Sequence, residues 1–108
     1  MLDRRIALDV GLTIKELNKF FEKAEKRRFS KKDNLLLNKI AAYIFLYAVA
    51  IAKISYVFDN KTILLNKSFL DRITKLKRMV RDTEDPNKKF ELIEEMIDVC
   101  LDNGIDPF

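Results

Sequence analysis

The chain has 108 residues, 35 % of them charged and 48 % hydrophobic, with only two Gly and two Pro. That suffices for one hydrophobic core in one domain, 1–108, and excludes a disordered, collagen-like or low-complexity chain. With no His and a single Cys, histidine-based catalysis, histidine metal ligation and an internal disulfide are excluded as well. The formal net charge of +4 hides an asymmetry: residues 1–81 carry 19 Lys/Arg against 8 Asp/Glu, whereas residues 82–108 carry 2 against 9.

In chain order, Leu2 to Val10 reads as a short helix with Leu2, Ile6 and Val10 on one side. Gly11 is its expected stop, because glycine takes the left-handed conformation without steric cost. A second helix starts after Thr13, which with Glu16 has the capping-box spacing; Leu12 and Leu17 are placed to close a hydrophobic staple over it. Ile14, Leu17, Phe20, Phe21 and Ala24 then recur at helical spacing as a core face. Ser30 and Asp33 offer the next cap.

The third helix is expected to run to about Phe58. At its centre, Ile40 to Ala52 is thirteen consecutive apolar residues, the densest such run in the chain. A helix apolar all round is buried on all sides or sits in lipid. A membrane span needs about 20 apolar residues, and a run of 10–14 is the mark of a core helix. Asn38, Lys39 and Lys53 bound this run, so it reads as a buried central helix and no membrane span is expected. Arg4 and Arg5 are followed by no apolar run of signal-peptide length, so the expected location is cytoplasmic.

Asp59, Asn60 and Lys61 read as a turn, with a helix-turn-helix preferred over a short hairpin across residues 56–65. The fourth helix begins near Thr62 or is re-capped at Ser68, with Phe69, Leu70, Ile73, Leu76 and Val80 as its apolar stripe. Asp85 followed by Pro86 is a strong start signal for the fifth helix. Phe90, Ile93, Met96, Ile97, Cys100 and Leu101 are expected to face inward along it. Asn103 and Gly104 stop it, with Ile105 placed for the apolar contact of a Schellman cap. Asp106, Pro107 and Phe108 read as a tail or as the truncated start of something further.

No phosphate loop, nucleophile–base pair or metal-ligand spacing occurs, so neither an enzyme nor a cofactor or metal site is expected. The lone Cys100 reads as inert packing, and the Glu94–Asp98 pair as solvated charge. The remaining signal is cationic. Lys23, Lys26, Arg27, Arg28, Lys31 and Lys32 cluster around the end of the second helix, and Arg72, Lys75, Arg78 and Arg81 recur three apart on the fourth. Phosphate contacts need only cations on a common surface. Two chain reversals between the second and fourth helices would make these helices parallel and bring the two groups to one end of the bundle. The competing reading is a solvated, lysine-rich face. Phe29, Tyr43 and Tyr47 are the aromatics considered for base stacking, the tyrosines being better placed in the core. The acidic last helix is expected to meet a basic surface, inside the chain or on a neighbour.

The stretch Gly11 to Ala24, GLTIKELNKFFEKA, resembles the opening of the small α-helical subunit of type III-A CRISPR effector complexes. The order that follows is similar too: a basic turn, a long helix rich in Leu, Ala and Tyr (Leu35 to Lys53), a charged helix, and a last helix opening on Lys89 and Phe90. The family's Tyr-x-x-Gly-Arg ending on the long helix is replaced here by Tyr47 to Lys53, YAVAIAK, and its aromatic, histidine-containing end on the last helix is missing. The resemblance implies a non-catalytic subunit that packs in a filament beside guide and target RNA.

The expectation is therefore an all-α, compact bundle of four main antiparallel helices plus a short N-terminal one, the central helix buried. Its expected role is that of a non-catalytic small helical subunit contacting nucleic-acid backbone, RNA favoured, within a larger assembly and with protein partners or self-assembly. The alternative is a protein-binding helical module of inhibitor, immunity or adaptor type that touches no nucleic acid.

Overall fold

Helix boundaries are set by local chemistry. In the computed structural model, which describes the backbone of residues 2–58 and 63–108 and the side chains of 2–52 and 67–108, the first helix, α1, is Arg4–Val10. The Asp3 carboxylate caps it, accepting from the N–H groups of Arg5 and Ile6 at 3.0 and 3.1 Å. Gly11 ends it at φ 71°, and the Leu12 N–H returns to the Ala7 carbonyl at 2.8 Å. Helix α2, Ile14–Lys26, opens on the expected capping box of Thr13 and Glu16. Leu12 and Leu17 are both buried above it, as a hydrophobic staple requires.

A 3-10 turn at Lys31–Asp33 then leads into α3, Asn34–Phe58. Helix α4 is Ile63–Asp82 and α5 is Pro86–Asp102. Ser68 lies inside α4, so the helix starts early and is not re-capped there. Asp85 caps α5 by accepting the Asn87 N–H at 3.1 Å. The C-terminus of α5 is a Schellman motif: Gly104 has φ 73°, the Ile105 N–H reaches the Cys100 carbonyl at 2.8 Å, and the Ile105 side chain is buried. The turn expected at Asp59, Asn60 and Lys61 lies outside the described residues. No strand occurs among the described residues.

These helices form a bundle around α3, which touches all four others. At 25 residues α3 is about 37 Å long, and it sets the 43 Å long axis of a body otherwise 24 by 21 Å. Leu37, Ile40, Tyr43, Ile44 and Ala48 are fully enclosed. By length and composition the stretch Lys31–Ala52 would also cross a membrane; here the other helices cover much of it. Enclosure is incomplete, however: Leu35 is 67 % exposed and Leu46 37 % exposed. They are eleven residues apart, one outward strip of a 3.6-residue helix, and the four neighbouring helices leave that strip open.

Relative directions follow from side-chain pairs. Glu16 meets Lys39 and Asp33 meets Lys23, so α2 and α3 are antiparallel. Arg72 meets Glu95 while Lys89 meets Val80, so α4 and α5 are antiparallel. Asn34 donates to the Glu84 carbonyl at 3.0 Å and Lys89 to Asn38 at 2.7 Å, so α3 and α5 are parallel. Helices α2 and α4 therefore run the same way, as their expected reversals require. The last three residues are not a loose tail. Pro107 is buried and its carbonyl accepts from the Tyr43 hydroxyl at 2.5 Å; the Phe108 ring stacks on Tyr43 at 5.4 Å and meets Phe21 edge-on at 5.2 Å.

Candidate nucleic-acid interface

The α2 cluster divides into committed and uncommitted cations. Lys23 is committed: its ammonium donates to both oxygens of Asp33 at 2.7 and 2.8 Å. Asp33 is 1 % exposed and also accepts the Ser30 N–H at 2.8 Å. Burial pushes its carboxyl up, but hydrogen bonds from Lys23 and Ser30 and the charges of Lys23 and Lys19 outweigh this and hold it below the usual carboxylate range.

Arg27 is committed too. Its guanidinium makes a two-pronged pair with Glu94 at 2.8 and 3.1 Å and lies 5.3 Å from the centre of the Phe90 ring. The Glu94 hydrogen bonds and charge raise its pKa further. Arg27 is the one non-glycine residue with positive φ among the described residues, at 52°. Lys26 approaches Glu22 at 3.8 Å with both side chains in water, a contact worth little. Arg28, Lys31 and Lys32 are exposed and make no ion pair among the described residues.

On α4, Arg72 reaches Glu95 at 3.6 Å and Arg81 reaches Asp82 at 3.1 Å, while Lys75 and Arg78 make no ion pair among the described residues. The four do not form one face. A step of three residues falls about 60° short of a full turn, so three such steps rotate through about half the helix surface. Arg72 and Lys75 line a groove of about 520 Å³ against α5, with Met79 and Glu95. Arg81 lies on the opposite flank with Lys77, Asn38 and Ala41 of the α3 side. Arg78 points outward between them.

The two groups nevertheless share an end of the bundle. The Asn34–Glu84 hydrogen bond ties the start of α3 to the α4–α5 connection, which places Arg28, Lys31 and Lys32 at the end where α4 finishes with Arg78 and Arg81. Arg72 lies about 9 Å further back along α4 than Arg78. Helix α5 runs between the basic helices and supplies Glu94 to α2 and Glu95 to α4, so the acidic last helix meets its basic surface within the chain.

None of the aromatics considered for stacking stands free, and the tyrosines take the core positions preferred for them. Phe29 is buried in a cluster with Phe20 and Phe90 at 5.9 and 4.7 Å. Tyr43 is fully buried, its hydroxyl also accepting the Asp3 N–H at 2.9 Å, and Tyr47 lies half-buried beside it. Both tyrosines serve the core.

Sequence reasoning missed Lys89, which is 2 % exposed. Its ammonium donates to the Asn38 side chain at 2.7 Å and the Val80 carbonyl at 2.6 Å. Val80 lies in the last turn of α4, where carbonyls lack helical partners and attract a cation. Burial pulls the Lys89 pKa down, and the charge of Asp82 partly restores it. The available signal was position: Lys89 sits beside Phe90 and one turn before Ile93 on the apolar face.

Cys100 is buried and its thiol is pushed up to about 11, where it is a poor nucleophile. Among the described residues no group of three His, Cys, Asp or Glu is placed to hold a metal ion. No protein-family model matches the chain, and neither does any curated protein or solved structure.

Proposed function

We propose that this chain is a non-catalytic small helical subunit that contacts the phosphate backbone of a nucleic acid within a larger assembly. The observation that carries this reading is the convergence of Arg28, Lys31 and Lys32 with Arg78 at one end of the bundle, exposed and without carboxylate partners among the described residues. Lys75 adds to it from the middle of α4. Lys23 and Arg27, read as contacts from the sequence, are held by Asp33 and Glu94, whereas Lys26, Arg72 and Arg81 make only solvent-exposed contacts with Glu22, Glu95 and Asp82 and stay accessible. RNA is favoured over DNA on the resemblance to the type III-A small subunit. With Phe29 and Tyr43 buried, contact would be to phosphates and carry weak sequence preference.

The test is salt-titrated binding to single-stranded RNA and duplex DNA. Log affinity for a single strand should fall with log salt at a slope of about −0.7 per phosphate contacted. Replacing Arg28, Lys31 and Lys32 together by Ala should remove up to about three contacts from that slope and leave the helical melt unchanged. A wild-type chain that binds neither polymer at about 50 mM salt, where counterion release is strongest, would leave the protein-binding module as the better reading.

A further inference from the structure

Helices α2 and α5 lie side by side without closing, and a groove of about 360 Å³ runs between them. Its floor is apolar: Phe20, Phe21 and Ala24 from α2, Phe90 and Ile97 from α5. Phe21 is 43 % exposed, and Leu101, one turn beyond Ile97, is 51 % exposed and continues the row. Its rim is acidic. Glu25 stands on the α2 side, Glu94 and Asp98 on the α5 side. Arg27 is the one cation lining the groove, and its charge is spent on Glu94. Glu25 and Asp98 have no ion pair among the described residues, and residues 82–108 as a whole carry 9 acidic against 2 basic side chains.

An aromatic floor between uncompensated carboxylates repels phosphate and attracts cations with apolar bodies. Both walls are helices with satisfied backbones, so the groove offers no edge to a strand; it suits a helix laying one apolar row along it. We propose that this groove docks a basic amphipathic helix of a partner protein, with aliphatic or aromatic anchors on Phe21, Ile97 and Leu101 and flanking Lys or Arg on Glu25 and Asp98. The groove adjoins the proposed nucleic-acid surface at Arg27, which lines it and precedes Arg28, but its acidic rim and apolar floor are distinct from that surface's cations.

The probe is a synthetic helical peptide with Leu at every third or fourth position and Lys on both flanks, followed by fluorescence anisotropy at about 0.1 M salt. A peptide of the same composition with its Leu positions scrambled is the first control. Glu25→Lys with Asp98→Lys should weaken binding by about tenfold or more, whereas Asp9→Lys with Glu84→Lys, an equal change in net charge elsewhere, should leave it within about twofold. Leu101→Ser, at a half-exposed position that the fold does not need, should weaken binding several-fold with an unchanged helical melt. Equal loss in both reversal variants, equal binding of the scrambled peptide, or no binding would overturn the proposal. So would self-association of the chain that the Glu25/Asp98 reversal abolishes, which would put a second copy in the groove.

Discussion

Removing the Asp33 carboxylate should be among the most damaging changes to a charged residue. In Asp33→Ala the Ser30 N–H loses its 2.8 Å acceptor, and Lys23 loses both oxygens. A hydrogen bond to a charged group contributes about 1.5–3 kcal/mol, and breaking a fully buried ion pair costs about 3–5. Asp33 has no side-chain exposure but Lys23 keeps 31 %, so the released ammonium regains water and the lower end of that range applies. The expected loss is about 3 kcal/mol, or about 2–3 M in urea midpoint for a domain of this size. The pH dependence has a definite sign. Asp33 is held below the usual carboxylate range in the folded chain, so its contribution is present above the unfolded value of about 3.9 and is lost as pH falls through the folded value. The gap between wild type and Asp33→Asn should therefore narrow below about pH 4. A loss at pH 7 under about 1 kcal/mol, or a gap unchanged on acidification, would refute the clamp.

Two further outcomes follow from the same pairings. Lys89→Met should cost about 1–2 kcal/mol at neutral pH by leaving Asn38 without its donor and Val80 with only the Thr83 N–H at 3.4 Å; because the Lys89 pKa is lowered in the fold, wild type should gain on the variant as pH rises toward about 10.4, and urea midpoints at two pH values check the sign. Arg27→Ala and Arg27→Gly both lose Glu94, but only Ala retains the strain of a positive φ; the Gly variant should melt a few degrees higher, and a lower melt would show that φ 52° is not costly here.

What the sequence reveals well is whatever a few neighbouring residues decide. The Thr13–Glu16 box, the Asp85–Pro86 start and the Gly104–Ile105 stop each involve groups within six positions, so local chemistry is sufficient to place them. Ser68 has a cap-like pattern and is overridden: α4 already begins at Ile63 and runs through it. The site was legible in composition and topology but not in availability. Whether a lysine is free depends on which carboxylate the fold brings to it: Lys23 and Lys26 look alike in sequence, yet one holds a buried aspartate and the other stands in water. Lys89 was hidden for the same reason, since its partners come from α3 and α4. Phe108 reads in sequence as a tail residue, yet the fold places its ring on Tyr43.

Charge is sorted in this bundle by one helix acting as an internal counterion. Helix α5 gives Glu94 to α2 and Glu95 to α4, and each pair sets one acid against one base on the surface. Among the charges without an ion pair in the described residues, Arg28, Lys31 and Lys32 stand at the α2–α3 connection and Lys75 and Arg78 on α4, while Glu25 and Asp98 rim the α2–α5 groove. Arg28 is the residue after Arg27, which lines the groove, so the two surfaces meet at the C-terminal end of α2. Occupancy by a polyanion and by a basic helix should therefore be electrostatically coupled, and the coupling should weaken as the screening length falls from about 30 Å at ~0.01 M salt to about 10 Å at ~0.1 M.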